Sequence, residues 1–561
     1  MTLRDLSVER RRRLMRRAVP VAALAAALVA VAAIVLAGGG SSDRERAARR
    51  FAAAWARSDW AAMRRELTPD AQRRYSPAAL ERAYREAAAT ATATGLIVRG
   101  VRGSGGDATV EVTVRTRVFG PIAGEVRLPI EDDRIAWAPH LVFPDLAPGT
   151  LLTRRSDPPR RAAILARDGS RIASGPAARR VRAPGPAQTI VGELGPARTD
   201  ADRQYVYSRG FPRDWPVGRG GLERILDTRV AGTPGGTLLA GTAELARRDP
   251  RPSRPVRTTI DLGVQAAAVQ ALAGRLGGIV ALDARTAQVL ALAGIAFSAP
   301  QPPGSTFKVV TAAAALESGR VKASTEFPVA AKAVIDGVDL ENANGESCGG
   351  TFENSFVHSC NSVFAPVGVR VGARRLVATA ERFGFNEPPP FPGAAPSTLP
   401  AAGEVGSELA LGSTAIGQGK VLATPLELAL IAHTVAAGGV RRPPSLLPGA
   451  APPGRRAIQR RTARTLRRFM VGVVQRGTGT AAAIPGVVVA GKTGTAELET
   501  TVGADAEPSA TDTDAWFAAF APARKPRVAV AVMLVRAGAG GATAAPAARL
   551  VLSAGLTRDR P

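Results

Sequence analysis

"GVVVAGKTGT", residues 486–495, is the stretch on which the reading of this chain turns. Gly486, Gly491, Lys492 and Thr493 fit G-x-x-x-x-G-K-[ST] letter for letter, the pattern of a phosphate-cradling loop. The intervening residues argue against that chemistry. A phosphate loop wraps an anion with successive backbone N–H groups, whereas Val487, Val488, Val489 and Ala490 form a β-branched run that reads as a strand. The following "TGTAELETT" has no amphipathic periodicity, so no helix dipole is aimed at a phosphate. The stretch is therefore read as a strand with no nucleotide partner. Thr493 and Thr495 then share one face, and Gly494 between them allows something to approach the backbone closely.

Working outward, the chain has 561 residues, 45% of them hydrophobic. That length implies about three or four domains. The net charge is +27. Such an excess suits an anionic membrane, an acidic polymer or nucleic acid, or arginine-rich solvated surfaces. It is spread along the whole chain without the interleaved aromatic and basic residues of a nucleic-acid module, so no nucleic-acid partner is expected. Residues 18–37, "AVPVAALAAALVAVAAIVLA", carry no charge and are long enough to cross a bilayer once. Seven arginines precede them: Arg4, Arg10, Arg11, Arg12, Arg13, Arg16 and Arg17. The positive-inside rule makes 1–17 a cytoplasmic tail, 18–37 a single-pass anchor in the cell membrane, and the remainder extracytoplasmic. A cleaved signal peptide ending near Ala37–Gly39 is the alternative. On that side of the membrane there is no nucleotide pool, in keeping with the strand reading of 486–495. It is also where disulfides persist. The only cysteines, Cys348 and Cys360, are either bridged or a pair of buried thiols; a bridge would contribute about 3 kcal/mol in the loop-entropy view.

Residues 43–92 carry helical spacing, with "SPAALERAYREAAAT" opening on a Ser-Pro start signal. Residues 96–140 switch to alternation, so 43–147 is read as an α+β unit. Residues 148–255, rich in Pro, Gly and Arg with short strands, read as a linking pedestal. From "VRTTIDLGVQAAAVQAL" (256–272) onward, 256–557 reads as one α/β domain. In it "GGIVALDARTAQVLALAG" makes two strands around a turn at 283–286, and "RVAVAVMLVRA" (527–537) makes a late buried strand. The Pro-rich run 441–455, "RRPPSLLPGAAPPGR", is read as a surface loop.

The chemistry is sought in this last domain. The three histidines, His140, His358 and His433, form no H-E-x-x-H and no Cys/His cluster, so neither metal nor cofactor is expected. No convincing G-x-S-x-G is present. "PPGSTFKVVTAAAALESG" is present (302–319): the chain is broken by Pro302, Pro303 and Gly304, and Ser305 opens an Ala-rich helix with Lys308 on its face. A serine at a helix N-terminus sits in a positive field, and a buried lysine of lowered pKa can take its proton. Taken alone, the pair reads rather as an N-cap serine with a solvated lysine one turn later. "HSCNSVFA" adds Ser359-Cys360-Asn361, and 486–495 adds a second lysine, Lys492.

S-x-x-K, S-x-N and K-T-G, in that order, resemble the penicillin-binding transpeptidases and the related serine β-lactamases. The likeness covers residues 256–557, with "TTIDLGVQ", "AIGQGKVLATPLELA", "VVQRGTGTAA" and "DAWFAAFAP" as further matching pieces. "GGLERILDTRVAGTPG" (220–235) resembles the pedestal, or dimerisation-type domain, of class B members. Residues 43–147 resemble the NTF2-like extension of the methicillin-resistance type. No glycosyltransferase segment is recognised. The resemblance implies a multi-domain α/β (α+β) protein whose last domain has a central antiparallel sheet flanked by helices. It implies a peptidoglycan D,D-transpeptidase in which Ser305 attacks the D-Ala–D-Ala carbonyl and Lys308 is its general base. Ser359 relays a proton, Asn361 orients Lys308 and binds substrate, and Lys492, Thr493, Gly494 and Thr495 receive the substrate carboxylate and backbone. β-Lactams would trap Ser305. Stem peptides of lipid-linked nascent glycan and a glycan-polymerase partner are implied. A D,D-carboxypeptidase, a β-lactamase and a non-catalytic scaffold or β-lactam sensor use or retain the same residues and stand as alternatives.

Overall fold

The computed structural model describes residues 43–104, 106–449, 453–497 and 512–557. The tail at 1–17 and the apolar run 18–37 lie outside the described residues; among the described ones no helix is long and apolar enough to cross a membrane.

The first unit begins with four helices, α1 (Asp43–Ala56), α2 (Trp60–Arg65), α3 (Pro69–Arg74) and α4 (Pro77–Ala91). Their starts are written in the sequence. Asp59, Thr68 and Ser76 each accept the N–H three residues on, and Pro69 and Pro77 occupy the first turn, where no N–H is needed. Thr92 ends α4 in the left-handed region, and the chain turns into an antiparallel sheet in sequence order, β1 (Ala93–Ser104), β2 (Asp107–Thr116), β3 (Pro121–Glu131) and β4 (Arg134–Ile135). Alternation on β2 sends Ala108, Val110, Val112 and Val114 inward; the first three join Phe51 of α1 in one core.

The next strand, β5 (Leu152–Asp157), fastens this unit to the middle region. Its Arg154 guanidinium donates to Ala89 O (2.9 Å) and Thr90 O (2.8 Å) at the end of α4 and to Tyr207 O (2.7 Å) at the end of α5 (Asp200–Ser208). One cation thus closes the carbonyl ends of two helices. β5 pairs antiparallel with β6 (Gly235–Ala240), which pairs with β7 (Ala243–Arg248).

The last unit is a three-layer sandwich. The elements that frame the site are, in chain order, α6 (Leu262–Leu272), β8 (Gly277–Asp283), β9 (Val289–Gly294), α7 (Lys308–Glu317), α8 (Asn361–Val371), α9 (Pro425–Ala436), α10 (Arg460–Arg476), β10 (Ala490–Glu497), β11 (Thr513–Ala521), β12 (Val528–Leu534) and α11 (Ala544–Thr557). The sheet runs β9-β8-β12-β11-β10, every neighbour antiparallel. α6 and α11 cover one face, and α7 to α10 lie on the side of the other. Burial on both faces explains why β8 and β12 read as continuous apolar runs. β10 is an edge strand and carries the K-T-G stretch. It starts at Ala490, not at Val487. Gly486 turns the chain at φ +73°, Val487 bridges back to Ile484, and Val488 O is taken by Ala523 N at 2.8 Å, so the valines brace the strand's entry rather than extend it.

Candidate active site

Ser305 does not open an α-helix directly. Gly304–Phe307 form a 3₁₀ turn, and α7 begins at Lys308. Two glycines set the distance between this turn and β10. A Cβ on Gly304 (φ +50°) would lie 2.4 Å from Thr495 O, and one on Gly494 would lie 2.8 Å from Pro303 O. The Ser305 turn and the K-T-G strand therefore meet backbone to backbone, with Ser305 half-buried at the junction.

Lys308 is completely buried one turn on. Its Nζ donates to Ser359 O at 2.6 Å and Asn361 Oδ1 at 2.6 Å, and lies 3.3 Å from Ser359 Oγ. Ser359 sits at the tip of the turn before α8 with φ +62°, and Asn361 is held from its other side by donating Nδ2–H to Glu341 O at 2.6 Å. Lys492, also completely buried, approaches from β10: its Nζ is 2.8 Å from Ser359 Oγ and 3.0 Å from Thr493 O. The Ser359 hydroxyl is thus flanked by two amines. Among the described residues neither amine meets a carboxylate within 4 Å. Burial first, and then the neighbouring Lys492, drive the Lys308 pKa well below its ordinary value, and burial brings Lys492 down to about 7. A neutral amine has two N–H donors and one lone pair. The acceptor-only Ser359 and Asn361 oxygens take both donors of Lys308, leaving its lone pair for a hydroxyl proton.

Along β10, Thr493 Oγ1, 3.5 Å from Lys492 Nζ, pairs with Thr478 Oγ1 at 2.6 Å, and Thr495 Oγ1 accepts from Gly540 N at 3.3 Å. Cys348 and Cys360 are disulfide-bonded, which ties the S-x-N turn to the strand at Cys348–Thr351. Lys308, Ser359, Asn361, Lys492 and Thr493 are therefore joined by hydrogen bonds, and the turn that carries Ser305 packs against Gly494 and Thr495, so the eight residues lie around one site. His358, next to Ser359, is exposed and outside it. Sequence reasoning passed over Thr478, Gly540 and the Glu341 carbonyl. Thr478 lay inside the quoted "VVQRGTGTAA", but nothing in that string marks which hydroxyl crosses to β10, and a backbone carbonyl has no sequence signal at all.

A half-buried serine flanked by two buried lysines, at the edge of a five-stranded antiparallel sheet between helical layers, is the arrangement that the three sequence motifs called for. Comparison with known proteins agrees. Residues 277–553 match the penicillin-binding protein transpeptidase domain. The peptidoglycan D,D-transpeptidase PbpA of Mycobacterium tuberculosis is 42% identical over 288 residues, 46% of this chain and 56% of that protein. PbpA of Mycolicibacterium smegmatis is 33% identical over 401 residues, 60% of this chain and 79% of that protein. The structure of penicillin-binding protein A from M. tuberculosis as a ceftriaxone acyl-enzyme complex superposes with a TM-score of 0.57 at 30% identity, covering 71% of this chain and 98% of that one. The chain spans little more than half the length of the first of these relatives. It belongs to the class B penicillin-binding protein transpeptidases.

Proposed function

We propose that this protein is a peptidoglycan D,D-transpeptidase that works through a Ser305 acyl-enzyme. The observation that carries the reading is the Ser359 hydroxyl held 2.8 Å from Lys492 Nζ and 3.3 Å from Lys308 Nζ, one turn from Ser305. The lone pair of neutral Lys308 takes the Ser305 proton as Oγ attacks the penultimate D-Ala carbonyl of a stem peptide. The developing oxyanion is met by the N–H groups of Ser305 and Thr495, which the glycines at 304 and 494 allow to approach each other; each such donor is worth about 3–4 kcal/mol. The Ser359 hydroxyl passes a proton to the departing D-Ala nitrogen and is re-protonated from the lysine pair. The C–N bond breaks, D-Ala leaves as the free amine, and Ser305 holds the ester. An amine of a neighbouring stem peptide then attacks, gives its proton to Lys308, and releases Ser305. Lys492 and Thr493 receive the terminal carboxylate of the donor peptide. A β-lactam enters the same path but keeps its leaving nitrogen tethered, so the ester persists.

In this reading 43–147 is an NTF2-like unit, 148–255 is the pedestal, 18–37 is the membrane anchor, and the cleft faces nascent glycan outside the cell. A glycan polymerase would be the working partner. The full chain in membranes should label covalently with fluorescent penicillin and should join a D-Ala–D-Ala stem peptide to an added amine, and Ser305→Ala should do neither. Hydrolysis without transfer to any amine would make it a carboxypeptidase, and turnover of the label a β-lactamase. No label at all would leave the non-catalytic scaffold.

A further inference from the structure

The Pro-rich stretch 441–455 plays no part in the cleft. The structure pins its two ends by pairing Val440–Arg441 antiparallel with Arg455–Arg456. Facing it is a second proline run, Pro388–Pro390, and at the back stands the first turn of α9. Between them lies a cavity of about 280 Å³. Its walls are the prolines at 388–390, 443, 444 and 453 together with Leu426 and Leu430. In the interior, Arg441 clasps Glu427 with two bonds of 3.0 and 3.1 Å, and their side chains are only 11% and 7% exposed. A second pair, Arg455 with Glu387, adjoins it, one bond being 2.8 Å, with side chains 48% and 46% exposed.

A purely structural tie does not call for this arrangement. Burying an ion pair contributes little net stability, and apolar packing in its place commonly does as well or better. The walls cannot easily close, because proline is stiff in φ and has no N–H to offer a neighbour. The two hydroxyls lining the space each accept one backbone N–H, Ser397 Oγ from Thr424 N at 3.0 Å and Thr424 Oγ1 from Glu427 N at 3.3 Å, and each keeps an O–H to donate. The charge that the space presents comes from the two ion pairs. The Glu427 carboxyl, raised to about 7 chiefly by burial, also feels the charges of Glu387 and Arg455, so the two pairs share one field.

Each sign is presented twice, once inside and once further out, around apolar walls. A simple anion or cation meets one attractive and one repulsive partner at each level, whereas a molecule carrying both signs satisfies both. The volume lies just below the range of drug-sized sites, about 300–1,000 Å³. We propose that this cavity binds a small zwitterion, an amino acid or dipeptide with an apolar side chain, its carboxylate toward Arg441 and Arg455 and its ammonium toward Glu427 and Glu387.

The test uses the full chain, pre-treated with penicillin G so that the cleft is occupied, and titrates D-alanine, L-alanine, D-alanyl-D-alanine, propionate and ethylamine by calorimetry. The zwitterions should bind saturably, with propionate and ethylamine weaker by about tenfold or more, as loss of a charge-assisted bond implies. Arg455→Ala, a change at a half-exposed position, should weaken zwitterion binding by about tenfold while leaving the melting temperature and penicillin labelling unchanged. Glu427→Gln should weaken it further, with circular dichroism reporting whether the fold is kept. Absence of saturable binding by any zwitterion would overturn the proposal. So would propionate binding as tightly as alanine, or binding indifferent to Arg455→Ala. Failure of the penicillin labelling itself would count against the cleft chemistry and not against this cavity; the same titration would then be run on the untreated chain.

Discussion

Two places in this molecule bury cations almost completely, and they do so in opposite ways. In the middle region Arg161 and Arg180, with side chains 2% and 5% exposed, converge on Glu223, which is 1% exposed, and Arg161 also meets Asp227 at 2.9 Å. Each cation has a carboxylate. In the cleft, Lys308 and Lys492 are equally buried, yet among the described residues they meet hydroxyls, carbonyls, the Asn361 amide and the rings of Phe364 and Phe356, and no carboxylate within 4 Å. The first cluster neutralises its charge by pairing, so its guanidinium groups serve as ties. The second cannot, so burial lowers both amines, Lys308 well below its ordinary value and Lys492 to about 7, and the neutral amine that a general base requires is Lys308. Burial alone does not tell structure from chemistry; the partner does.

The comparison can be broken most sharply by exchanging what each cluster does. Lys308→Met should slow β-lactam acylation by about a thousandfold, within the range for loss of a general base. Urea unfolding of the same variant should show stability unchanged or raised, because a desolvated amine is replaced by an apolar chain. Arg161→Met should do the reverse: a loss of about 3–5 kcal/mol of stability, from leaving Glu223 and Asp227 underpaired, with acylation by the folded protein little changed. If Lys308→Met unfolds the protein, or Arg161→Met silences it without destabilising it, the division fails.

A smaller effect sharpens it. Lys492 titrates near 7 in the folded chain and at its ordinary 10.5 when unfolded. Between those values the unfolded chain holds the extra proton, so this group makes stability rise with pH from about 7 toward 10.5. The difference between wild type and Lys492→Met in urea midpoints at pH 7 and pH 9 should carry that slope. In the same window the second-order rate of acylation should fall, since a neutral Lys492 no longer attracts the β-lactam carboxylate. The smallest effect expected is at Thr478. Thr478→Val removes one hydrogen bond of about 1 kcal/mol from Thr493 and should weaken acylation about fivefold, while Thr478→Ser keeps it.

How much of this was legible in the sequence follows from how local each signal is. Ser305 and Lys308 share one turn, and Thr493 and Thr495 share one strand face, so spacing alone placed them. The start of α4 at Ser76-Pro77 and the two strands around 283–286 were legible for the same reason. Distance along the chain was the limit. Nothing between 308 and 492 says that the two amines flank one hydroxyl; only the likeness of the three motifs to a known family joined them. Thr478 pairs with Thr493 only because the end of α10 comes to rest against β10. Val487–Val489 misled because β-branching marks strand propensity without marking where a turn at Gly486 and a bond from Ala523 end the pairing. The run 441–455 read as a loop because prolines show no periodicity, and its cavity exists only through a second proline run more than fifty residues away.

The most direct measurement is intact-protein mass spectrometry of the full chain after exposure to penicillin G, followed by peptide mapping of the adduct. One penicilloyl group should be found, on the peptide containing Ser305, and none on the Ser305→Ala protein. An unmodified wild-type chain, or an adduct carried by Ser359 or any other residue, would contradict the account.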